Sequence, residues 1–211
     1  MGREDFFDET GNRWNSLGAF PDTSIKKFGT KSLHCGVGGG YLLNPTGITL
    51  GGKDFTIAFW LYAPAASTTW QFFFSWGTKT DYTAISRDAN NKLLIDALSN
   101  GSTVFSPAAA DRVAFPTAQW NHIELGYRNS DNTILLFLNG TLVYSNTNAT
   151  LSTPQNLPIY LGYNPMNSAY YYVGYIDEVL ITEKLLHTAN FTPPTDPHSA
   201  DSDTIALLHF E

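Results

Sequence analysis

Gly174-Tyr175-Ile176-Asp177-Glu178-Val179-Leu180-Ile181-Thr182 is the stretch whose residue types and spacing come closest to chemistry. It reads as a strand. On a two-residue period Asp177 shares a face with Val179 and Ile181. If those two point into a core, a carboxylate enters beside them, and it then needs a metal, a cation or several N–H donors. Glu178 is expected on the opposite face, towards solvent or a neighbouring strand. Two adjacent acids on a strand therefore diverge, whereas glycoside hydrolysis needs two carboxyl groups aimed at one sugar. The five histidines, His34, His122, His187, His198 and His209, show no paired metal spacing and no HExxH pattern. Gly29-Thr30-Lys31-Ser32 has the end of a phosphate loop without the upstream glycine. The expected role for all of these is turn or core, and the chain reads as a non-enzyme.

Recognition is the other chemistry the residues allow. Sugar binding on a β-framework uses exposed aromatic faces with polar neighbours, often on loops. Tyr170-Tyr171-Tyr172, with Tyr163, Asn164 and Asn167 nearby, makes one such set. Strand alternation exposes at least one of the three tyrosines unless both faces are covered. Trp70, Trp76, Tyr82 and Arg87 make a second set, while Trp60 and Trp120 are expected inside. The ligand-binding candidates are thus Tyr170, Tyr171, Tyr172, Asn164, Trp70 and Arg87. The same tyrosines would also serve as a protein–protein anchor, since tyrosine is favoured at interfaces. Asn-x-Ser/Thr sequons occur at Asn100, Asn139, Asn148 and Asn190, and read as incidental.

The elements that must position these residues are short strands. The chain has 211 residues, 43% hydrophobic and 15% charged, with 14 Phe, 11 Tyr and 5 Trp, which suits a globular core and argues against disorder. A net charge of -7 argues against a nucleic-acid groove. The single Cys35 excludes an internal disulfide and a thiolate zinc cage. No N-terminal run resembles a signal peptide and no apolar run is long enough to span a bilayer, so secretion through the usual apolar leader is not expected, and release by lysis or assembly into a particle stays open.

Residues 28–35 read as a turn followed by a strand, and strands are expected at 41–43, 55–62, 70–75, 82–87, 92–98, 120–127, 133–138, 141–144, 159–162 and 174–182, with Asn139-Gly140 as the strongest hairpin signal. Asp8 to Asn12 is a turn by residue type, and Gly36 to Gly40 another. Residues 99–119 are weakly patterned. Glu183 to Ala189 allows a turn or two of helix. Many short strands without helices between them predict an all-β fold, a two-sheet antiparallel jelly-roll β-sandwich.

Several pieces together resemble the laminin-G-like, concanavalin-A-like lectin jelly roll found in bacteriophage tail and bacterial surface proteins. They are Phe28-Gly29-Thr30-Lys31-Ser32-Leu33, Asp54 to Trp60, Trp120-Asn121-His122-Ile123, Phe137 to Val143, Gly174 to Thr182 and Ala189 to Thr195. The similarity covers most of residues 5–195. It implies that calcium sometimes sits on the sandwich near the closing strand, which makes Asp177, Asp8 and Asn12 the candidate ligands; hard oxygen donors suit that ion. The alternative is that Asp177 accepts backbone N–H bonds and Asp8 makes an Asx-turn. Glycanases on this fold carry Glu-x-Asp-x-x-Glu, and Asp177-Glu178 lacks that spacing.

There is one departure. The strand that usually opens such a module is missing before Asp5, and a similar one stands at the far end, Ala206-Leu207-Leu208-His209-Phe210-Glu211. Residues 1–195 are expected to form the jelly-roll domain. Residues 196–211 would be a linker and a strand that completes the same sandwich, or else pairs with another subunit. Pro193 to Asp203 reads as a linker by composition. The expected function is a virion adhesion module, on a tail or capsid, that binds host-surface glycans. The alternative is a structural decoration protein contacting other virion or surface proteins, with homo-oligomers possible under either.

Overall fold

The structure is a computed structural model that describes residues 5–50, 52–147, 149, 155–167 and 169–211, without the side chains of Val37 and Gln155. The sequon at Asn148 lies outside them. Two antiparallel sheets face each other. In sheet A, β1 (Asp5–Phe7), β2 (Arg13–Leu17), β5 (Tyr41–Thr49), β15 (Gln155–Leu161), β7 (Gln71–Gly77), β8 (Tyr82–Arg87), β9 (Lys92–Ser99) and β10 (Ser102–Phe105) lie side by side in that order, and β11 (Val113–Ala114) also pairs with β9. In sheet B the order is β14 (Thr141–Asn146), β13 (Thr133–Leu138), β12 (Trp120–Arg128), β6 (Phe55–Tyr62), β16 (Gly174–Thr182), β4 (Ser32–Cys35) and β3 (Phe20–Asp22). The last strand, β17 (Thr204–Leu208), pairs with β16. No α-helix occurs among the described residues, and the glycine-rich turn at 36–40 holds one short 3-10 turn.

The core lies between the sheets and follows the two-residue period. On β6, Phe55, Ile57, Phe59 and Leu61 point inward and meet Phe73, Phe74 and Trp76 of β7 across the gap. Phe59 stacks on Phe74 at 5.9 Å and Phe55 packs edge-on against Trp76 at 6.4 Å. Thr56, Ala58 and Trp60 alternate to the outer side, yet they too are buried.

The segment after β16 covers Thr56, whose hydroxyl donates to the Lys184 carbonyl and accepts the Leu186 N–H, while Lys27, Phe28 and His122 pack on Trp60. Residues 183–203 neither form a helix nor hang free as a linker. They cross the outer face of sheet B as a strap and return to its middle as β17. Gly126 has no Cβ, and a Cβ there would meet the Leu185 side chain at 2.6 Å. Phe191 then stacks on His187 at 3.6 Å and packs edge-on against Phe137 at 5.3 Å and His122 at 5.8 Å. Its N–H donates to the Gly140 carbonyl at 2.9 Å, and Asn190 Oδ1 accepts from Leu142 N–H at 2.8 Å. At the return, Lys184 bridges Asp201 and Asp203 at 2.8 and 2.7 Å.

β16 departs from the simple alternation. Asp177 pairs with Trp60 but Leu180 pairs with Ala58, so β16 carries one extra residue, and Glu178 takes φ 52° to absorb it. This β-bulge resets the period. Ile176, Val179 and Ile181 all face the core, and Asp177 does not join them. It lies on the outer face beside Trp60, and Glu178 lies near enough for its charge to raise the Asp177 pKa. The expected placement of Asp177 next to Val179 in the core, with Glu178 opposite, is therefore corrected by the bulge.

Candidate functional site

Around the bulge, every carboxylate oxygen has a protein partner. Asp177 Oδ2 accepts the N–H groups of Lys27 and Phe28 at 2.9 and 3.3 Å, and Oδ1 accepts that of Glu178 at 3.0 Å. Burial nonetheless raises its pKa to about 7, and the Glu178 charge adds to this against those hydrogen bonds. Glu178 Oε2 accepts His198 N–H at 2.8 Å, while Oε1 lies 2.6 Å from His209 Nδ1. His209 Nε2 reaches Glu9 at 3.0 Å, which ties the strap, the last strand and the N-terminal turn together.

The Asp8–Asn12 turn is just as fully engaged. Asp8 Oδ1 accepts from the Thr10 and Asn12 N–H groups and the Thr10 hydroxyl, and Oδ2 from the Asn12 amide and the Trp14 indole, all at 2.8–3.0 Å. Asn12 Nδ2 also reaches the Ile205 carbonyl at 2.7 Å. A calcium ion would have to displace these donors, because it binds the same oxygens. Among the described residues no group of three or more His, Cys, Asp or Glu side chains is arranged to hold a metal. Asp8, Asn12 and Asp177 do not fit the ion.

A concave site exists on the opposite side of the molecule, the outer face of sheet A. Its floor is built by alternation. Tyr82 and Ala84 of β8, Leu98 of β9 and Phe72 of β7 form a small apolar cluster separate from the main core, with Trp70, Met166 and Tyr170 packed against it. Tyr82 pairs with Leu98 and Ala84 with Asp96, so Asp96 comes up on that same face. The cavity holds about 410 Å³, the scale of a small-ligand site, and Thr103, Ser106 and Arg112 complete its lining.

Its walls are aromatic. The Phe72 ring lies 6.4 Å from Trp70 and 6.1 Å from Tyr170, each within 22° of parallel, and Tyr82 stands edge-on to it at 6.2 Å. Asp96 supplies the acid: Tyr82 Oη donates to Oδ2 at 3.0 Å and Ser86 Oγ approaches Oδ1 at 3.5 Å. Burial pushes the Asp96 carboxyl up to about 6 despite these donors and the Arg112 charge. Arg112 lies over Trp70 at 5.7 Å and pairs with Asp88 at 3.1 Å. An aromatic-sided recess with one acid and a few hydroxyls can stack a ring and hydrogen-bond its edge.

The residues singled out in the sequence divide sharply. Tyr170 and Trp70 line the cavity. Tyr171 bridges Phe72 through its backbone and turns its half-buried ring towards Gly39. Tyr172 is fully buried against Phe73 at 5.1 Å, and burial raises its phenol well above the usual range. Arg87 is 1% exposed and spends its guanidinium on Gln71, the Ala65 carbonyl and Asn91. Asn164 is buried and caps Met166 N–H at 2.7 Å. Tyr172 and Arg87 are thus buried away from the cavity, Tyr171 lies half-buried outside its lining, and Asn164 shapes the 163–167 turn. The sequence reading missed Asp96 and Arg112. Asp96 did leave a signal, a lone acid between Leu94 and Leu98 on an expected strand; Arg112 left none in the weakly patterned 99–119 stretch.

Among the described residues no helix is long and apolar enough to cross a membrane. Solved structures with this fold include domain 4 of an extracellular arabinanase from Geobacillus stearothermophilus in complex with arabinotriose, at 20% identity and TM-score 0.65, covering 87% of this chain and 89% of that one. They also include tailspike protein 2 of the Escherichia coli O157:H7 bacteriophage CAB120, at 14% identity and TM-score 0.62, covering 100% of this chain and 30% of that one. A third is the CBM40 of the Ruminococcus gnavus IT-sialidase bound to α2,3 sialyllactose, at 15% identity and TM-score 0.52, covering 64% of this chain and 78% of that one. At these identities the likeness is one of fold. No curated protein matches the chain in sequence. The sequence profile of the concanavalin A-like lectin/glucanases superfamily matches residues 36–190, and with the two-sheet jelly roll and its aromatic recess in place, the chain belongs to that superfamily.

Proposed function

We propose that the protein is a non-catalytic carbohydrate-binding module and that the recess on the outer face of sheet A is its glycan site. The observation that carries this reading is the stacked set of Trp70, Phe72 and Tyr170 beside a buried carboxyl, Asp96, inside one cavity. A sugar ring lies on an aromatic face through its C–H groups while its hydroxyls bond to polar side chains. Asp96 is the one acid among the described lining residues, which supports binding over hydrolysis, since glycosidases place two carboxyl groups across the scissile bond. Neighbours whose titles name an arabinotriose and a sialyllactose support a sugar ligand, and the tailspike neighbour supports a place on a virion or other extracellular surface.

A glycan array tests this directly. Specific retention that falls by about tenfold or more in Tyr170→Ala, as loss of a stacking aromatic should cause, supports the reading. Retention unchanged in both Tyr170→Ala and Trp70→Ala refutes it, and so does release of reducing sugar from a bound polysaccharide. A second reading, a structural particle protein, is favoured by Phe7, which stands 69% exposed on the edge strand β1. Concentration-dependent oligomers abolished by Phe7→Ser, with no glycan bound, would support it.

A further inference from the structure

The recess contains a carboxylate that forms no direct ion pair among the described residues, although the nearby Arg112 charge still favours it. Asp96 is buried at the middle of β9, and its two partners, the Tyr82 and Ser86 hydroxyls, are neutral. The cation in the lining is already committed. Arg112 Nη1 pairs with Asp88 at 3.1 Å, Nε and Nη2 donate to the Pro107 carbonyl at 3.2 and 3.1 Å, and Nη2 reaches Ser106 Oγ at 3.4 Å. The Arg112–Asp88 pair adds no net charge, so the formal charge of the recess is that of Asp96. With its carboxyl pushed to about 6 by burial, Asp96 is ionised at neutral pH and short of donors.

Resting on the glycan reading above, we propose that Asp96 sets the ligand class: the recess takes sugars that offer hydroxyl or ammonium donors and excludes sugars that carry a carboxylate. A ring stacked on Tyr170 or Trp70 turns its edge substituents towards the floor, where Asp96 accepts hydrogen bonds. An acidic sugar in the same pose brings a second anion into a cavity of about 410 Å³, within several ångström of the first. At an effective dielectric constant near 20 that repulsion weakens binding by about thirtyfold or more. The net charge of -7 on the chain acts in the same direction.

The experiment uses immobilised neutral, amino and carboxylated oligosaccharides of matched length, with wild type, Asp96→Asn and Tyr170→Ala. Wild type is expected to retain the neutral and amino sugars and to bind the carboxylated ones about thirtyfold less tightly or worse. Asp96→Asn should narrow that gap to within about threefold, because Asn keeps the shape and loses the charge. A merely structural role for Asp96 would weaken all three groups alike and leave the gap intact, which overturns the proposal. Carboxylated sugars bound as tightly as neutral ones by wild type, with Tyr170→Ala abolishing both, overturns this inference and leaves the glycan site standing. No retention of any sugar overturns both.

Discussion

Replacing Asp96 with Asn should stabilise the free protein, and only where Asp96 is ionised. Its carboxyl moves from an ordinary 3.8 when unfolded to about 6 when folded, with burial as the leading cause. Below about pH 3.8 both states hold the proton and the residue costs nothing. As pH rises through about 6 the folded protein must bury the charge, and this part of the stability is lost. At roughly 1.36 kcal/mol for each tenfold change in proton affinity, the cost above pH 7 is about 3 kcal/mol. Asn removes the charge, and its Oδ1 still accepts the Tyr82 hydroxyl. Urea unfolding should therefore show Asp96→Asn about 2–3 kcal/mol more stable than wild type at pH 7.5, a rise of about 5–10 °C in Tm for a chain of this size, with the gain gone near pH 4. A variant less stable than wild type at pH 7.5, or a gain of equal size at both pH values, would refute the reasoning. The same substitution is expected to trade ligand discrimination for stability, as binding sites often do.

Three other predictions concern the strap and the core. Phe191→Ala removes the ring that packs on His187, Phe137 and His122, and should cost about 2–3 kcal/mol, with proteolytic nicking or hydrogen exchange rising first within residues 183–203. Burial pulls His122 down to about 3 and His198 to about 4, so the unfolded chain takes up these protons from pH 6.5 while the folded chain does not. Their contribution is lost as pH falls through that window, and His122→Phe should flatten the loss by up to about 3 kcal/mol between pH 6.5 and 4 in matched unfolding curves. Cys35 is fully buried and burial raises its thiol far above the usual range, so iodoacetamide should label it only in denaturant; rapid labelling of the native protein would contradict its placement against Gly162.

The many short strands without helices between them, Phe55 to Tyr62 and Trp120 to Tyr127 among them, were enough to read a β-sandwich, and Asn139-Gly140 pointed to the β13–β14 hairpin. Two things defeated local pattern. The bulge at Asp177-Glu178 inserts one residue where the sequence reads as an unbroken strand, and a single inserted residue reverses every side chain beyond it. The strap carries prolines and aspartates because it runs without sheet pairing, so its composition resembles a linker even though Leu185, Phe191 and His198 meet sheet B. Strand β5 was read only to Leu43, since Asn44-Pro45-Thr46-Gly47 has turn composition; Asn44 Oδ1 does cap Thr46 and Gly47 N–H there, and the strand continues past it. The recess was half legible. Trp70 and Tyr170 stand out as aromatics on loops, but which of three consecutive tyrosines faces the cavity depends on Gly39 and Phe73 waiting on the other sides.

One edge of β16 is divided between two distant parts of the chain: β4 pairs with Gly174 to Ile176 and β17 with Val179 to Thr182. Thr10 Oγ1 donates to the Ile205 carbonyl across 195 positions, and Glu211 holds Thr30 across 181. Sheet B cannot close until residue 208 has been made: β6 waits with one edge unpaired until β16 follows it, and β16 then waits for β17. Late, all-at-once closure of this kind favours slow folding and puts the nascent chain at risk of sticking to its neighbours.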